Sequence, residues 1–220
     1  MEGLGEVLEA AGFDVEIPLL PGHCTSVDDL LGRRWPDWVG TVEDAYTRLA
    51  GDHDRVVLVG LSMGGTLATW LAADAAGHAE VAGLACVNPY VEPPAESFRQ
   101  LMLGFIDAGF DRVPGPANDV AEPEANEGGY DQWPIEPLLS LFDALDDLLP
   151  RLPAITCPVL VVTSRQDHVV PPASSDLLAE RVSGPVERLF LDRSFHLATL
   201  DVERDIVENA VVDFATRAVR

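Results

Sequence analysis

The sequence predicts an α/β architecture, a mainly parallel sheet with helices on both faces. Three observations carry that expectation. Helix-like and strand-like segments alternate along most of the 220 residues. The runs Val56-Val57-Leu58-Val59-Gly60, Val81 to Val87 and Val159 to Thr163 are continuously apolar, as in strands buried on both faces. Glycine and proline punctuate the ends of these runs, where the chain must turn. A chain of this length buries a core without disulfides or metals.

Taken in order, Leu4, Val7 and Leu8 followed by Ala11-Gly12 read as an amphipathic helix ended by a glycine. Phe13 to Ile17 reads as a short strand closed by Pro18, and Pro21 to Thr25 as a turn-rich loop. From Trp38, the apolar residues Val42, Ala45, Tyr46 and Leu49 recur at helical spacing. The strand at Val56 leads through Ser62 into a helix over Thr66 to Ala73. Strands follow at Val81 to Val87, Val159 to Thr163 and Val186 to Leu191, with helices at Ser174 to Val182 and Glu203 to Val219. Between Asn88 and Pro153 the alternation stops. Two helical apolar stripes, Phe98 to Ile106 and Leu138 to Leu149, flank a stretch rich in proline, glycine and acidic residues from Asp111 to Pro137. The expected organisation is a core of residues 1–88 and 153–220, with residues 89–152 inserted as a helical cap.

The formal charge of −23 argues against nucleic acid, whose phosphates require clustered Lys and Arg. It also disfavours anionic membrane surfaces and polyanionic substrates. Most of these carboxylates read as a solvated surface that keeps the protein soluble. Cys24, Cys86 and Cys157 form no CxxC pair and no Cys/His cluster with metal-ligand spacing. Cys86 and Cys157 read as small core residues, and a reducing cytoplasm fits. No segment has the length of a membrane span, and no signal-peptide pattern precedes the first helix.

The chemistry concentrates at Gly60-Leu61-Ser62-Met63-Gly64-Gly65. This is a G-x-S-x-G sequence directly after a buried strand and directly before a helix. A serine there sits on a tight, strained turn, so side chains at the flanking positions are expected to clash. The Met63 N–H, at the start of the helix, is then available to a developing oxyanion. A serine nucleophile needs a base, and the base needs an orienting acid, in the chain order Ser, Asp, His. Asp167 follows the Val159–Thr163 strand, and His196 follows the last strand, so each falls beyond a strand's carboxyl end. Asp192 and Asp201 are rival carboxylates, ranked second because they belong to the histidine's own segment. His53 and His78 precede strands, His23 lies in the Pro-Gly-His turn, and His168 follows the acid, so all four compete poorly as the base.

These segments resemble the small bacterial carboxylesterases and monoacylglycerol-lipase-like members of the α/β-hydrolase superfamily. Leu20-Pro21-Gly22-His23 is similar to that family's L-P-G-H-G loop, with Cys24 in place of the last glycine. Gly60 to Gly65 matches its nucleophile motif, Ser164 to Pro172 its acid segment, and Ser194 to Asp201 its S-x-H-x-x-T-L-D segment. The resemblance implies an α/β-hydrolase fold, a catalytic set of Ser62, Asp167 and His196, no metal and no organic cofactor. It implies cleavage of short or medium acyl esters, or monoacylglycerol-like ones, with thioester, amide and C–C bond hydrolysis as alternatives. In the family a hydrophobic strand ending in His-Gly precedes the first helix, and here Met1 falls at that helix. The resemblance therefore implies a further strand of roughly two dozen residues with its loop, central in the sheet and supplying the second oxyanion N–H. Such a strand would lie between Phe13–Ile17 and Val56–Val59, and a signal peptide upstream remains compatible with it. A catalytically impaired, truncated binding protein is the rival from a different functional class.

Overall fold

The computed structural model describes residues 1–74, 80–115, 118–126 and 128–220. Helix α1 (Glu2–Ala10) ends where its glycine predicts. Gly12 stands at φ +94°, and the N–H groups of Gly12 and Phe13 donate to Glu9 O at 2.9 Å and Leu8 O at 3.2 Å. Those two bonds satisfy carbonyls that the helix leaves open. Ser26 opens the short α2 (Val27–Leu31) by accepting the Asp29 N–H at 3.2 Å. Helix α3 (Trp35–Asp52) begins before the expected Trp38, because Asp37 accepts the Arg34 N–H at 2.8 Å and Pro36 suits the first turn.

Apart from two short unexpected strands, the remaining elements follow in the expected order. They are β1 (Arg55–Leu61), α4 (Met63–Asp74), β2 (Glu80–Val87), α5 (Glu96–Asp107), β3 (Arg112–Pro114), β4 (Gln132–Pro134) and α6 (Ile135–Leu148). A 3₁₀ turn (Leu149–Ala154), β5 (Val159–Ser164), α7 (Pro172–Arg181), β6 (Val186–Leu191) and α8 (Arg204–Ala218) complete the chain. The antiparallel pair β3–β4 lies within the stretch from Asp111 to Pro137, where no strand is expected from the residue pattern.

The large sheet has the order β1-β2-β5-β6, with every neighbouring pair parallel. Its side chains alternate between two apolar layers, as a strand's period of two requires. Val56, Leu58, Leu84, Cys86, Val159 and Val161 pack with Tyr46 of α3, Ala68 of α4 and Leu178 of α7. Ala85, Val87, Leu160 and Val162 pack on the other face with Leu4 and Leu8 of α1 and Val207, Val211 and Phe214 of α8. Each fully buried Val, Leu or Phe contributes about 1.5–3 kcal/mol, and the small Ala and Cys side chains of these layers less. Cys86 is one of them, and burial pushes its thiol up to about 12, so it is an inert core residue. A third apolar cluster lies between α3, α4, α5 and α6. Met102, Ile135, Leu141 and Phe142 meet Trp35 and Trp38 of α3 and Leu67 of α4 there. Among the described residues, no helix is long and apolar enough to cross a membrane.

One expected strand is not formed. Phe13 to Ile17 runs outside any ladder, and an open apolar cleft of about 530 Å³ lies between it and β1, lined by Leu8, Val15, Ile17, Val57 and Val59 among others. A β-branched segment becomes a strand only by pairing. Among the described residues, β1 pairs with β2 alone.

The loop after Leu20 is held tightly. Trp38 Nε1 donates to Pro21 O at 3.0 Å, and Tyr130 Oη donates to Gly22 O at 3.0 Å while accepting the Thr25 N–H at 2.9 Å. This tethering keeps the exposed Cys24 at φ +56°, a left-handed conformation that an L side chain adopts at a cost. Cys24→Gly is therefore expected to stabilise the fold by about 1 kcal/mol after glycine's own entropic cost. A thermal melt should rise by about 2–4 °C, and an unchanged or lower melting temperature would count against strain at this position.

Candidate active site

Ser62 occupies the single position between β1 and α4. It stands at φ +54°, a strained conformation for a residue with a Cβ. Its N–H donates to Val87 O at 3.0 Å, and its carbonyl accepts the Thr66 N–H at 3.1 Å. The turn tolerates no side chain at Gly60, where a Cβ would lie 2.2 Å from Gly64 O. At Gly65 an added Cβ would press on Pro89 at 3.1 Å. The expectation that both glycines flanking the motif avoid a clash holds only in part, because Gly64 faces open space. Met63 is the first residue of α4, so its N–H has no carbonyl within the helix to meet and lies at the positive end of the helix dipole.

Asp167 and His196 are in direct contact. His196 Nδ1 lies 2.7 Å from Asp167 Oδ2, with the two side chains only 5% and 2% exposed. The other carboxylate oxygen, Oδ1, accepts the N–H groups of Val169 and Val170, each at 2.8 Å. The acid is thereby fixed in orientation, with one oxygen held by its own loop and one aimed at the imidazole. With Asp167 ionised, Nδ1 carries the ring proton and Nε2 is left as an acceptor. The loops after β5 and β6 carry these residues, and both strands lie on the same side of β2 in the sheet.

The connection back to Ser62 runs through Asn88, the residue at which the sequence alternation stops. Asn88 follows Val87, the residue that accepts the Ser62 N–H. Its Nδ2 donates to His196 O at 2.7 Å and to Ser164 Oγ at 3.0 Å, and its Oδ1 accepts the Ser164 N–H at 2.7 Å. One buried amide therefore ties the end of β2 to the end of β5 and to the histidine loop. The sequence signal was a polar residue directly after a continuous apolar strand.

The rival residues have other work. Asp192 is exposed and pairs with Arg165 at 3.0 Å. Asp201 accepts backbone N–H groups from Phe195, Val202, Ala121 and Glu122. Burial opposes its ionisation, yet these four donors outweigh it and hold the carboxyl below its ordinary value. Glu203 behaves likewise: burial is opposed by the N–H groups of Arg193, Ser194 and Asp192 and by the Ser194 hydroxyl. The two carboxylates shape the histidine loop rather than touching the imidazole. His53 pairs with Asp14 at 3.0 Å, His23 packs edge-on against Trp38, and His168 lies 2.8 Å from Asp119. His78 lies outside the described residues. Among the described residues, no group of three His, Cys, Asp or Glu side chains is placed to hold a metal ion.

Comparison with known proteins fixes the lineage. The serine aminopeptidase family, S33, matches residues 1–203. The chain belongs to that family. Its relatives include a thermostable monoacylglycerol lipase of Bacillus sp. (strain H-257), 32% identical over 99% of this chain and 86% of the relative. A carboxylesterase of Bacillus subtilis (strain 168) is 26% identical over 96% of this chain and 84% of the relative. A solved structure described with the metagenome-derived lipolytic enzymes LipS and LipT superposes with a TM-score of 0.91 at 28% identity, over 99% of this chain and 87% of that one. The S33 chain thus has the α/β-hydrolase fold, and the resemblance read from its motifs is the right one.

Proposed function

We propose that this S33-family protein hydrolyses carboxylic esters through an acyl-enzyme on Ser62. Asp167 and His196 serve as its acid and base, and the Met63 N–H as an oxyanion donor. The observation that carries this reading is the buried 2.7 Å contact between Asp167 and His196, tied through Asn88 to the strained turn of Ser62. His196 Nε2 takes the proton from Ser62 Oγ as that oxygen bonds the ester carbonyl carbon. The carbonyl electron pair moves to oxygen, where the Met63 N–H stabilises it. On collapse the C–O bond to the alcohol breaks, and the alcohol leaves with the proton from His196. Water, deprotonated by the same nitrogen, then attacks the acyl carbon and releases the acid and Ser62. Asp167 stabilises the imidazolium in both halves.

The preferred substrates are esters of short or medium acyl chains, monoacylglycerol-like ones included. Residues 89–152 act as a cap over the site. Their apolar cluster extends to Met63, the neighbour of Ser62, and to Tyr90, Trp133 and Leu138, which suits an uncharged acyl chain. The net charge of −23 opposes anionic substrates. A rapid-mixing assay with a series of p-nitrophenyl esters tests the reading. A stoichiometric burst of nitrophenol followed by slower turnover is expected. Folded protein with neither burst nor turnover would favour a non-enzymatic role, and faster cleavage of amino-acid p-nitroanilides would favour amide hydrolysis.

A further inference from the structure

We infer that Asp119, in the segment between β2 and β5, is a positioning residue for His196, an inference that rests on the hydrolase reading above. Asp119 lies 77 residues before His196 in the chain, yet its Oδ2 accepts the His196 N–H at 3.0 Å. The same oxygen accepts the His168 N–H at 3.2 Å, and Oδ1 lies 2.8 Å from His168 Nδ1. Its backbone carbonyl accepts the Leu197 N–H at 3.1 Å. The side chain is only 14% exposed. A single residue from outside the sheet therefore grips two loops at once, because His168 directly follows Asp167 and Leu197 directly follows His196. It forms a second bridge beside the Asp167–His196 contact and sets the separation of the two loops.

The bridging runs in both directions. The N–H groups of Ala121 and Glu122 donate to Asp201 at 2.9 and 2.8 Å, and the same carboxylate takes the Phe195 N–H at 2.7 Å. Residues 119–122 and the histidine loop are thus laced together by a carboxylate from each side. Of the two, Asp119 is the one bonded to the backbone of the histidine itself. His196 is 4% exposed, so without Asp119 its N–H has no ready access to water and the loop must shift to satisfy it. The imidazole moves with its backbone. A general base works only within about 2.6–3.2 Å of the proton it removes, so the effect falls on the chemical step.

The test compares Asp119→Ala, Asp119→Asn, Asp119→Glu and Ser62→Ala with the wild-type protein, measuring kcat, KM and melting temperature on one chromogenic ester. Asp119→Ala is expected to lose about 10- to 100-fold in kcat, the scale of a displacement of up to an ångström, with KM changed by less than about threefold. Asp119→Asn should recover most of that loss, since its amide oxygen still accepts the His196 N–H. If Asp119→Ala does not fold, Asp119→Glu decides: its longer arm displaces the acceptor, and a folded protein with kcat lowered about tenfold or more supports the assignment. A folded Ala or Glu variant with wild-type kcat, a loss confined to KM, or an Asn variant as impaired as Ala overturns it. Ester turnover persisting in Ser62→Ala would instead remove the serine mechanism, a different failure from wild-type rates at Asp119 beside an inactive Ser62→Ala.

Discussion

Ser62→Ala is expected to lower kcat on a carboxylic ester by about 10⁶-fold, the loss seen when a triad serine is removed. The whole covalent route passes through Ser62 Oγ, and the residual rate over water, about 10³–10⁴, comes from binding and oxyanion stabilisation alone. The fold should be nearly untouched. Ser62 is held by its backbone, through Val87 O and the Thr66 N–H, and an alanine keeps both bonds. Alanine also has the same Cβ, so the strain at φ +54° is neither relieved nor increased. The stabilities of the two proteins should therefore agree to within about 1 kcal/mol. A variant that keeps even a few per cent of wild-type turnover would show that another group is the nucleophile.

Asp167→Asn should cost about 10⁴-fold in turnover, with the fold retained. The Asn oxygen can still accept the Val169 and Val170 N–H groups that Oδ1 accepts at 2.8 Å. Its NH₂ then faces His196 Nδ1 and makes that nitrogen the acceptor. The ring proton moves to Nε2, the nitrogen that has to receive the serine proton, and the base is held in the wrong tautomer. Asp192→Asn should cost far less, because Asp192 is exposed and engaged with Arg165. Asp201→Asn should also cost less in turnover and show itself mainly as lost stability, since an amide NH₂ would confront the N–H donors around it. Kinetics of the three variants beside their melts separate these roles. If Asp192→Asn or Asp201→Asn is the inactive protein and Asp167→Asn is near wild type, the acid is misassigned.

The parts of the site that were legible in the sequence are those whose chemistry is local. Gly60 to Gly65 encodes strand, turn and helix start in six adjacent residues, and Gly60 is demanded by a contact with Gly64 four positions away. The meeting of Asp167 with His196 follows from their order and from the strands before them, both readable from apolar runs. Asn88 and Asp119 were not legible, because their partners lie 108 and 77 residues away in the chain. Asn88 is marked only as a polar residue directly after an apolar strand, and nothing near Asp119 marks a contact that only the folded chain creates. The Phe13–Ile17 segment failed for the opposite reason. Its composition is that of a strand, but a strand is defined by its neighbour, and the cleft beside β1 leaves this segment unpaired. The β3–β4 pair has only three residues on each side, too few to rise above the proline- and glycine-rich stretch around it. Gly64 was read as sterically required through its motif, and the open space around it corrects that reading.

The most direct test of the central claim is to trap the acyl-enzyme chemistry with a fluorophosphonate and to map the adduct by peptide mass spectrometry. One adduct per chain is expected, on the peptide containing Ser62 and at that residue. Labelling should vanish in Ser62→Ala and slow sharply in Asp167→Asn. Stoichiometric labelling at any other residue, or sustained ester turnover with Ser62 unlabelled by excess reagent, would contradict it.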